Sequence, residues 1–530
     1  MEESLQLKNL PIGIQDFEDL RTNNYLYVDK TALIYRLVKT GKYYFLSRPR
    51  RFGKSLLMST IHTYFSGKRE LFKGLAMEGL EKDWLEYPVF HLDLNTQKYD
   101  SREALDNILE EFISRHEILY GSNQAEKSPG LRFQGLIRRA YEKTGRKVVI
   151  LVDEYDKPVL QAIGNEALQE EYRVTLKGFY GALKTMDGCI RFALLTGVTK
   201  FGKLSVFSDL NNLNDISLNL QYHDICGITA DEMRRDCSEY IKQLALEQEL
   251  SLGQTFEKLR IMYDGYHFHQ KGTGIYNPFS LLNCLYRNEF GSYWFSTGTP
   301  SFLLEKMREF RTDILKLNRT ELMPASAFES SIQEMDSALP LLYQSGYLTI
   351  KDYDKDAGSY ALGIPNEEVR VGLFENLLKR LTPLNTDQRM NMVAAMNRAL
   401  RKGDVDAAMK ALQSFLADVP YMYEGKEVLE DLEKLEALHQ RDLYILFNGM
   451  GLNLETEVKQ AKGRVDMVVW LPDAIYIFEF KMRGTASSAL AQIEKNLYDA
   501  PYMADPRPKV KVGVRFTCAK HTITSWKIAR

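Results

Sequence analysis

The sequence predicts an α/β protein in which two sheet-containing regions flank a largely helical middle. In the first region, apolar runs that suit buried strands alternate with stretches of helical spacing, which is the pattern of a parallel sheet covered by helices. After residue 430, closely spaced strands and helices return over about a hundred residues, the size of a small domain. With 530 residues, the chain is too long for one hydrophobic core.

Composition and charge narrow the class of protein. The chain has 45% hydrophobic and 26% charged residues, as ordinary globular proteins do. Its net charge of -2 gives no overall attraction to nucleic acid, so such binding needs a local basic surface. The last thirty residues could form such a surface, because they contain one acidic residue, Asp505, and seven basic residues. The basic residues are Arg507, Lys509, Lys511, Arg515, Lys520, Lys527 and Arg530.

The cysteines and the N-terminus predict a cytoplasmic protein with no membrane contact. Five widely spaced cysteines fit neither a disulfide framework nor a zinc site, and we interpret them as reduced. The N-terminal run MEESLQLKNL is acidic where a signal peptide is basic. A run of about 18 apolar residues, which a spanning helix needs, is absent from the sequence.

The first region begins with a strand, a loop and a helix. Residues 42–47 (KYYFLS) predict a buried strand, and residues 56–65 have helical spacing. Further strands are predicted at residues 89–94, 148–152 and 192–196.

The middle of the chain is predicted to be mainly helical. Residues 229–252 have a charged helical pattern, and residues 263–278 indicate a turn-rich excursion. Short helices and a hairpin, residues 347–350 with 360–362, suit a winged-helix-like module. Residues 387–417 predict a helical hairpin.

The second α/β region starts with a helix at residues 435–447. Strands are then predicted at residues 454–459, 465–470 and 474–481, followed by a helix through Gln492 and a strand at residues 510–516. These elements form one compact unit.

The loop RPRRFGKS, residues 48–55, carries the residue types of a phosphate-binding loop. Such a loop directs backbone N–H groups at phosphate, and Gly53, Lys54 and Ser55 supply the glycine, the lysine for the outer phosphates and the hydroxyl for magnesium. Arg48 stands where the motif has its first glycine. The alternative for GKS alone is a helix cap beside a surface lysine. The cofactor-binding set is predicted to be Arg50, Arg51, Phe52, Gly53, Lys54, Ser55, Leu56, Asp153 and Thr196.

An acidic pair ends the strand of residues 148–152 and supports the phosphate site. We predict that Asp153 and Ser55 hold Mg²⁺ and that Glu154 polarises the attacking water. The alternative is a helix N-cap with solvated charge. Thr196, at the end of its strand, is predicted to sense the γ-phosphate, with a purely structural role left open.

A second constellation lies in the C-terminal strands. In AIYIFEFK, residues 474–481, side chains alternate between faces, so Glu479 and Lys481 emerge together from an apolar strand. Asp466 lies in a neighbouring apolar strand. Two carboxylates can hold Mg²⁺, and Lys481 can orient a water or neutralise charge. The alternative is a structural Glu–Lys pair at an exposed strand edge.

Together these motifs resemble a bacterial AAA-ATPase-like family that carries a C-terminal PD-(D/E)XK nuclease-superfamily domain. The resemblance rests on LPIGIQDFEDL, YVDKTALI, RPRRFGKSLL, LVDEYDKP and LTGVTKF, and on GRVDMVV with IFEFK. It spans most of the chain and implies that arginine in place of the first glycine is usual. It also implies that Gln492 and Glu436 join the catalytic set of Glu154, Asp466, Glu479 and Lys481.

The predicted fold is therefore an N-terminal P-loop NTPase domain, a helical lid, a winged-helix-like region and a restriction-endonuclease-like α/β domain. The predicted segments are the AAA-ATPase-like domain 1–225, the helical lid 226–300, the winged-helix-like module 301–380, the helical linker 381–430 and the PD-(D/E)XK nuclease-like domain 431–530.

Three functional hypotheses follow. The first is an enzyme that binds and hydrolyses ATP with Mg²⁺ and controls a metal-dependent nuclease, with DNA favoured over RNA. The second is an ATP-switched nucleic-acid-binding or interaction protein whose nuclease fold is catalytically silent. The third is an ATPase that acts only as a molecular switch. The oligomeric state is left open.

Overall fold

The protein is described by a computed structural model that covers residues 7–200, 212–297, 301–317, 321–329, 335–381, 385–418, 432–460, 463–517 and 522–530. The chain divides into two compact units. The first comprises Met1–Thr312 and Thr320–Asn366, and the second comprises Asp313–Arg319 and Glu367–Arg530. The finer division into five segments stays a prediction.

The first unit contains a five-stranded parallel sheet. Its strands are β1 (Tyr43–Ser47), β2 (Val89–Asp93), β3 (Val148–Asp153), β4 (Ile190–Gly197) and β5 (Asn214–Asp215). They lie in the order β2-β3-β4-β1-β5, and each neighbouring pair is parallel. The four predicted strands are confirmed, whereas β5 was not predicted. The carboxyl ends of β1, β3 and β4 therefore meet at one edge of the sheet.

Helices cover both faces of this sheet, as the alternating pattern predicted. They are α1 (Phe17–Thr22), α2 (Thr31–Thr40), α3 (Lys54–Phe65), α4 (Ala76–Leu80), α5 (Arg102–Tyr120), α6 (Pro129–Thr144), α7 (Lys157–Gln161) and α8 (Glu166–Thr185). Helices α5, α6 and α8 share a core with Phe45 on one face, while Tyr44 on the other face contacts Phe192. This difference follows from the alternation of side chains along β1.

A helical region follows the parallel sheet. It consists of β6 (Ile228–Thr229), α9 (Ala230–Asp236), α10 (Ser238–Glu247), α11 (Leu252–Tyr263), β7 (Ile275–Tyr276) and α12 (Pro278–Arg287). Thr229 and Ser251 form capping boxes with Glu232 and Gln254, which fix the starts of α9 and α11. The helices predicted at residues 229–252 are confirmed.

The first unit ends with a small antiparallel sheet. Its elements are α13 (Ser301–Glu309), β8 (Glu321–Pro324), α14 (Leu339–Gln344), β9 (Thr349–Asp354) and β10 (Ser359–Gly363). The strands lie in the order β8-β10-β9. The predicted hairpin is β9 with β10.

The second unit builds its own five-stranded mixed sheet. Its elements are α15 (Glu367–Leu381), α16 (Thr386–Arg401), α17 (Val405–Asp418), α18 (Leu432–Gly449), β11 (Asn453–Gln460), β12 (Gly463–Trp470), β13 (Ile475–Lys481), α19 (Ala486–Lys495), β14 (Lys509–Thr517) and β15 (Thr522–Ala529). The strands lie in numerical order, and β13 and β14 run parallel. The predicted helices and strands are confirmed, and β15 is additional.

In the described part of the chain, Cys226, Cys237 and Cys284 are buried and Cys189 is partly buried, whereas Cys518 lies outside the described residues. Among the helices that the structure describes, none combines the length and the apolar character needed to cross a membrane.

Candidate functional site

The phosphate loop connects the end of β1 to the start of α3. Gly53 has φ of +91°, a left-handed conformation that favours glycine, and a Cβ there would meet no atom within 4 Å. This glycine is therefore needed for its backbone conformation. The ammonium of Lys54, which is 4% exposed, donates to the carbonyls of Arg48 and Pro49 over 3.1 and 3.4 Å. The lysine is thus held along the concave side of the loop.

The two predicted magnesium residues of the first unit are neighbours. The Ser55 hydroxyl donates to Oδ2 of Asp153 over 2.6 Å, and the Thr196 hydroxyl donates to Oδ1 over 2.5 Å. Asp153 is 3% exposed. A hydroxyl beside a carboxylate at the start of a phosphate-binding helix is the oxygen set that Mg²⁺ uses in such loops. These residues fit the ion.

Glu154 adopts an uncommon backbone conformation beside this pair. Its φ is +55°, and one carboxylate oxygen lies 3.2 Å from the ammonium of Lys54. Positive φ at a residue other than glycine stores strain and is concentrated at functional sites. The structure brings the predicted water-polarising carboxylate next to the predicted phosphate-binding lysine.

Two further carboxylates of this edge were missed by the sequence analysis. Asp93 ends β2 directly beside Asp153, and burial raises its pKa, with the charges of Asp153 and Glu154 adding to the effect. Asp156 is buried and accepts hydrogen bonds from Thr199 N–H and its hydroxyl, both over 2.6 Å. Asp93 ends β2 as Asp153 ends β3, and this shared position of an acid after an apolar strand could have indicated it.

The residues before Gly53 differ in where their side chains lie. Arg50 is exposed, and Phe52 packs edge-to-face on Tyr266. The guanidinium of Arg51 lies 3.7 Å from the centre of the Phe279 ring and donates to the Tyr293 carbonyl. The structure thus places the side chain of Arg51 against the helical region, while the role of this residue in cofactor binding stays a prediction. The backbone of Arg51 has a φ of +69°, in the left-handed region.

An apolar cavity of about 100 Å³ opens beside the phosphate loop. One wall comes from Leu26 and Val28, a second from Leu56 on α3, and a third from Ile228 and Leu282. Gly53 lines the cavity as well, so the cavity adjoins the loop that would hold phosphates. We call this cavity the base slot.

Close backbone packing and a buried ion pair frame the base slot. Gly227, with φ of +93°, donates its N–H to the Phe52 carbonyl over 3.1 Å, and a Cβ there would clash with Ile275. Lys30 and Glu232 form an ion pair of 2.6 Å with both side chains largely buried. The sequence could not show the slot, because its walls are far apart along the chain.

The second predicted constellation lies on one face of the C-terminal sheet. The register of β12 and β13 places Asp466 beside Glu479, and Lys481 follows on the same face. Asp466 accepts the Phe480 N–H over 2.7 Å, and the ammonium of Lys481 lies 3.2 Å from Glu479. Glu479 is 1% exposed. The three residues are brought together as predicted.

This face also fits a hard cation. Mg²⁺ is commonly held by one or two carboxylates with water and phosphate oxygens, and Asp466 and Glu479 supply that pair. In the described part of the chain, no cluster of three or more His, Cys, Asp and Glu side chains has metal-site spacing.

Gln492 and Glu436 occupy the helices on either side of the C-terminal sheet. Gln492 is half-buried on α19, which packs on β13 and β14. The side chain of Glu436, on α18, lies outside the described residues. His439, one turn on, stacks on Phe516 with ring centres 4.4 Å apart. The roles of Gln492 and Glu436 stay predictions.

Acidic neighbours pair with part of the basic C-terminal segment. Arg507 pairs with Asp505 over 2.6 Å, and Lys511 pairs with Asp499 over 2.8 Å. Arg515 and Lys527 are exposed, and Lys520 lies outside the described residues. The basic surface is therefore smaller than the sequence count indicates.

Comparisons with known proteins match both of the predicted α/β domains. A family model described as a predicted AAA-ATPase matches residues 11–207, and one described as the PD-(D/E)XK nuclease superfamily matches residues 434–526. The chain belongs to the family of AAA-ATPase-like proteins with a C-terminal PD-(D/E)XK nuclease-superfamily domain. An uncharacterized protein in the vnfD 5′ region of Azotobacter chroococcum mcd 1 is 34% identical over 528 residues, which are 98% of this chain and 99% of that protein.

Proposed function

We propose that the N-terminal unit binds and hydrolyses ATP and that this nucleotide cycle controls a metal-dependent nuclease in the C-terminal unit. The main support is the arrangement of Lys54, Ser55, Asp153 and Glu154 around one edge of a parallel sheet. Ligands of open α/β sheets bind at the carboxyl ends of the strands, where these residues lie.

ATP binding is supported by the phosphate loop together with the base slot. Backbone N–H groups at the start of α3 suit the phosphates, and Lys54 supplies positive charge for the outer ones. The apolar walls of the slot suit a flat base, and Gly53 joins the slot to the loop. Both ends of a nucleotide therefore have a site of matching chemistry.

Hydrolysis is supported by the carboxylate of Glu154. Bound at Ser55 and Asp153, Mg²⁺ would neutralise charge on the phosphate oxygens. Lys54 would leave Glu154 for the phosphates, since its ammonium already reaches along the loop. The freed carboxylate would accept a proton from the attacking water. Thr196 would keep Asp153 oriented through its hydrogen bond.

Phosphodiester cleavage is supported by Asp466, Glu479 and Lys481. Held by the two carboxylates, Mg²⁺ would activate water and stabilise charge on the phosphate. Lys481 would add positive charge at the same place, because its ammonium lies beside Glu479. DNA is proposed over RNA on the resemblance to PD-(D/E)XK nucleases.

The proposal is tested with the purified full chain and supercoiled plasmid DNA, with and without Mg²⁺ or Mn²⁺ and ATP. Lys54→Ala should lose ATP binding, and Glu479→Ala and Lys481→Ala should lose nicking. Lys184→Ala and Glu494→Ala, at exposed helical positions, serve as controls for charge removal. Structured RNA in place of plasmid compares the two polymers.

Each outcome separates the hypotheses. Nicking by Glu479→Ala at the wild-type rate would remove the nuclease assignment and leave an ATP-switched binding protein. Unchanged ATP affinity in Lys54→Ala would remove the phosphate-loop assignment. Equal nicking with and without ATP would contradict the proposal that the nucleotide cycle controls the nuclease.

A further inference from the structure

Arg48 occupies the first position of the phosphate loop, and its guanidinium is buried. The side chain is 1% exposed. Nη1 donates to the carbonyls of Ser47 and Ser217 over 2.9 and 2.8 Å. Nη2 donates to the carbonyls of Tyr222 and His223 over 3.1 and 3.4 Å. One side chain thus holds the backbone of the segment 217–223 at three carbonyls.

The position of Arg48 does not require a glycine in this loop. Within the described loop, positive φ angles occur at Arg51 and Gly53. The Arg48 N–H donates to the Gly197 carbonyl over 3.1 Å, which extends the pairing of β1 with β4. Its carbonyl accepts from Lys54, while its guanidinium stacks on Phe268 at 4.0 Å. The backbone of Arg48 therefore bonds within the phosphate loop and to β4, whereas its side chain bonds to the segment 217–223.

That segment leads directly into one wall of the base slot. Ile225, Cys226, Gly227 and Ile228 all line the slot. The Gly227 N–H bonds to the Phe52 carbonyl, so the wall is fixed to the loop at its far end. The Arg48 guanidinium fixes it at the near end. Arginine suits this task because its planar fork carries five donors in a rigid arrangement.

We propose that Arg48 is a positioning residue for the base of the nucleotide: it holds the segment 217–223 so that residues 225–228 face the phosphate loop. This inference rests on the proposed binding of ATP. The common phosphate-loop motif has glycine at this position, so Arg48→Gly would ordinarily be expected to preserve ATP binding. Here we expect Arg48→Gly to weaken ATP binding.

The affinity for ATP and the affinity for inorganic tripolyphosphate will respond differently. Tripolyphosphate has no base, so it depends on Lys54, Ser55 and the helix start, none of which bonds to the Arg48 guanidinium. ATP also uses the slot wall. Arg48→Gly will therefore lose roughly tenfold in ATP affinity while tripolyphosphate affinity stays within about twofold.

Calorimetric titration of the full chain with ATP and with tripolyphosphate, both with Mg²⁺, tests this inference. Arg48→Lys keeps the charge but reaches fewer carbonyls, and will lie between wild type and Arg48→Gly. Millimolar guanidinium will replace the missing side chain and restore ATP affinity to Arg48→Gly, and it will not raise the ATP affinity of the other variants. Arg146→Gly, at an exposed arginine, is the control.

Wild-type ATP affinity in Arg48→Gly, or equal losses for both ligands in a folded variant, overturn the role of Arg48 and leave ATP binding intact. If Arg48→Gly does not fold, equal losses in Arg48→Lys overturn it instead. A wild-type chain that binds neither ligand overturns the proposed ATP binding itself.

Discussion

The ammonium of Lys54 lies 3.2 Å from a carboxylate oxygen of Glu154, so the lysine of the phosphate loop and the acid after β3 form an ion pair. Both groups are partly withdrawn from water, with side chains 4% and 19% exposed. A nucleotide would take Lys54 from this pair, and the acid would then be available for chemistry.

Glu154→Gln should therefore separate binding from hydrolysis. The amide keeps the shape of the side chain but cannot accept a proton, so ATP hydrolysis should slow by roughly 100-fold or more. ATP affinity should be equal to or higher than that of wild type, because Lys54 loses a competing partner. Phosphate release and ATP titration measure the two effects. The control Glu142→Gln, at an exposed helical position, should change neither, and a large loss of ATP affinity in Glu154→Gln would contradict the expectation.

Gly227→Ala should damage the base slot. Its positive φ is unfavourable for alanine, and the new Cβ would clash with Ile275. We expect a loss of about 1–3 kcal/mol in the free energy of unfolding and weaker ATP binding. Denaturant titration and calorimetry measure these. Gly178→Ala, in the open interior of α8, should instead be neutral or stabilising. Wild-type stability in Gly227→Ala would contradict the close packing.

Asp156 should make the stability of the first unit depend on pH. Burial and the nearby Glu154 raise the pKa of Asp156 to about 6, well above the value of roughly 3.9 in an unfolded chain. The protonated Asp156 therefore contributes to the free energy of unfolding in full below about pH 4, and this contribution is lost as the pH rises through about 6. When the pH is lowered from 7.5 to 5, the free energy of unfolding of wild type should rise relative to that of Asp156→Asn by an amount on the order of 1 kcal/mol or more.

Denaturant titrations at both pH values measure this difference. Asp187→Asn is the control, because a hydrogen bond from Lys42 holds the pKa of Asp187 below its usual range. Asp187 stays ionised from pH 5 to 7.5, so the difference between wild type and this control should be nearly constant. A wild-type advantage over Asp156→Asn that grows towards pH 7.5 would refute the prediction.

Lys481→Met should remove DNA cleavage while DNA binding persists. Methionine keeps much of the stem but lacks the charge near Glu479, and we expect cleavage to fall by roughly 100-fold. Single-turnover cleavage and a gel-shift assay measure the two properties. Lys495→Met, at an exposed position of α19, should behave as wild type. Equal losses of binding and cleavage in Lys481→Met would instead assign the lysine to binding.

Gly513→Ala should destabilise the second unit. A Cβ at Gly513 would lie 2.5 Å from the backbone nitrogen of Leu490, so α19 would have to move off β14. We expect a loss of about 1–3 kcal/mol in the free energy of unfolding. Ser525→Ala, exposed on neighbouring β15, is the control. A fully stable Gly513→Ala would show that α19 can shift without cost.

Sequence patterns predicted the local elements well because periodicity and loop chemistry are local properties. The strand before residue 48, the helix after it and the pair Asp466 and Glu479 were found in this way. The strand β15 was not predicted, because its run TITSWKIA is mostly exposed or half-buried and lacks the apolar pattern of a buried strand. The base slot and the partners of Arg51 depend on residues distant in sequence, which no local pattern can bring together.

The buried guanidinium of Arg48 also bears on how phosphate loops are recognised in sequences. A sequence motif with glycine at the first position selects loops in which that side chain is small. The loop itself needs only a first side chain that points away from the phosphates. Here the interior offers carbonyl oxygens and an aromatic ring to receive it. A bulky residue at that position is then informative, because it implies a complementary receptor elsewhere in the same fold.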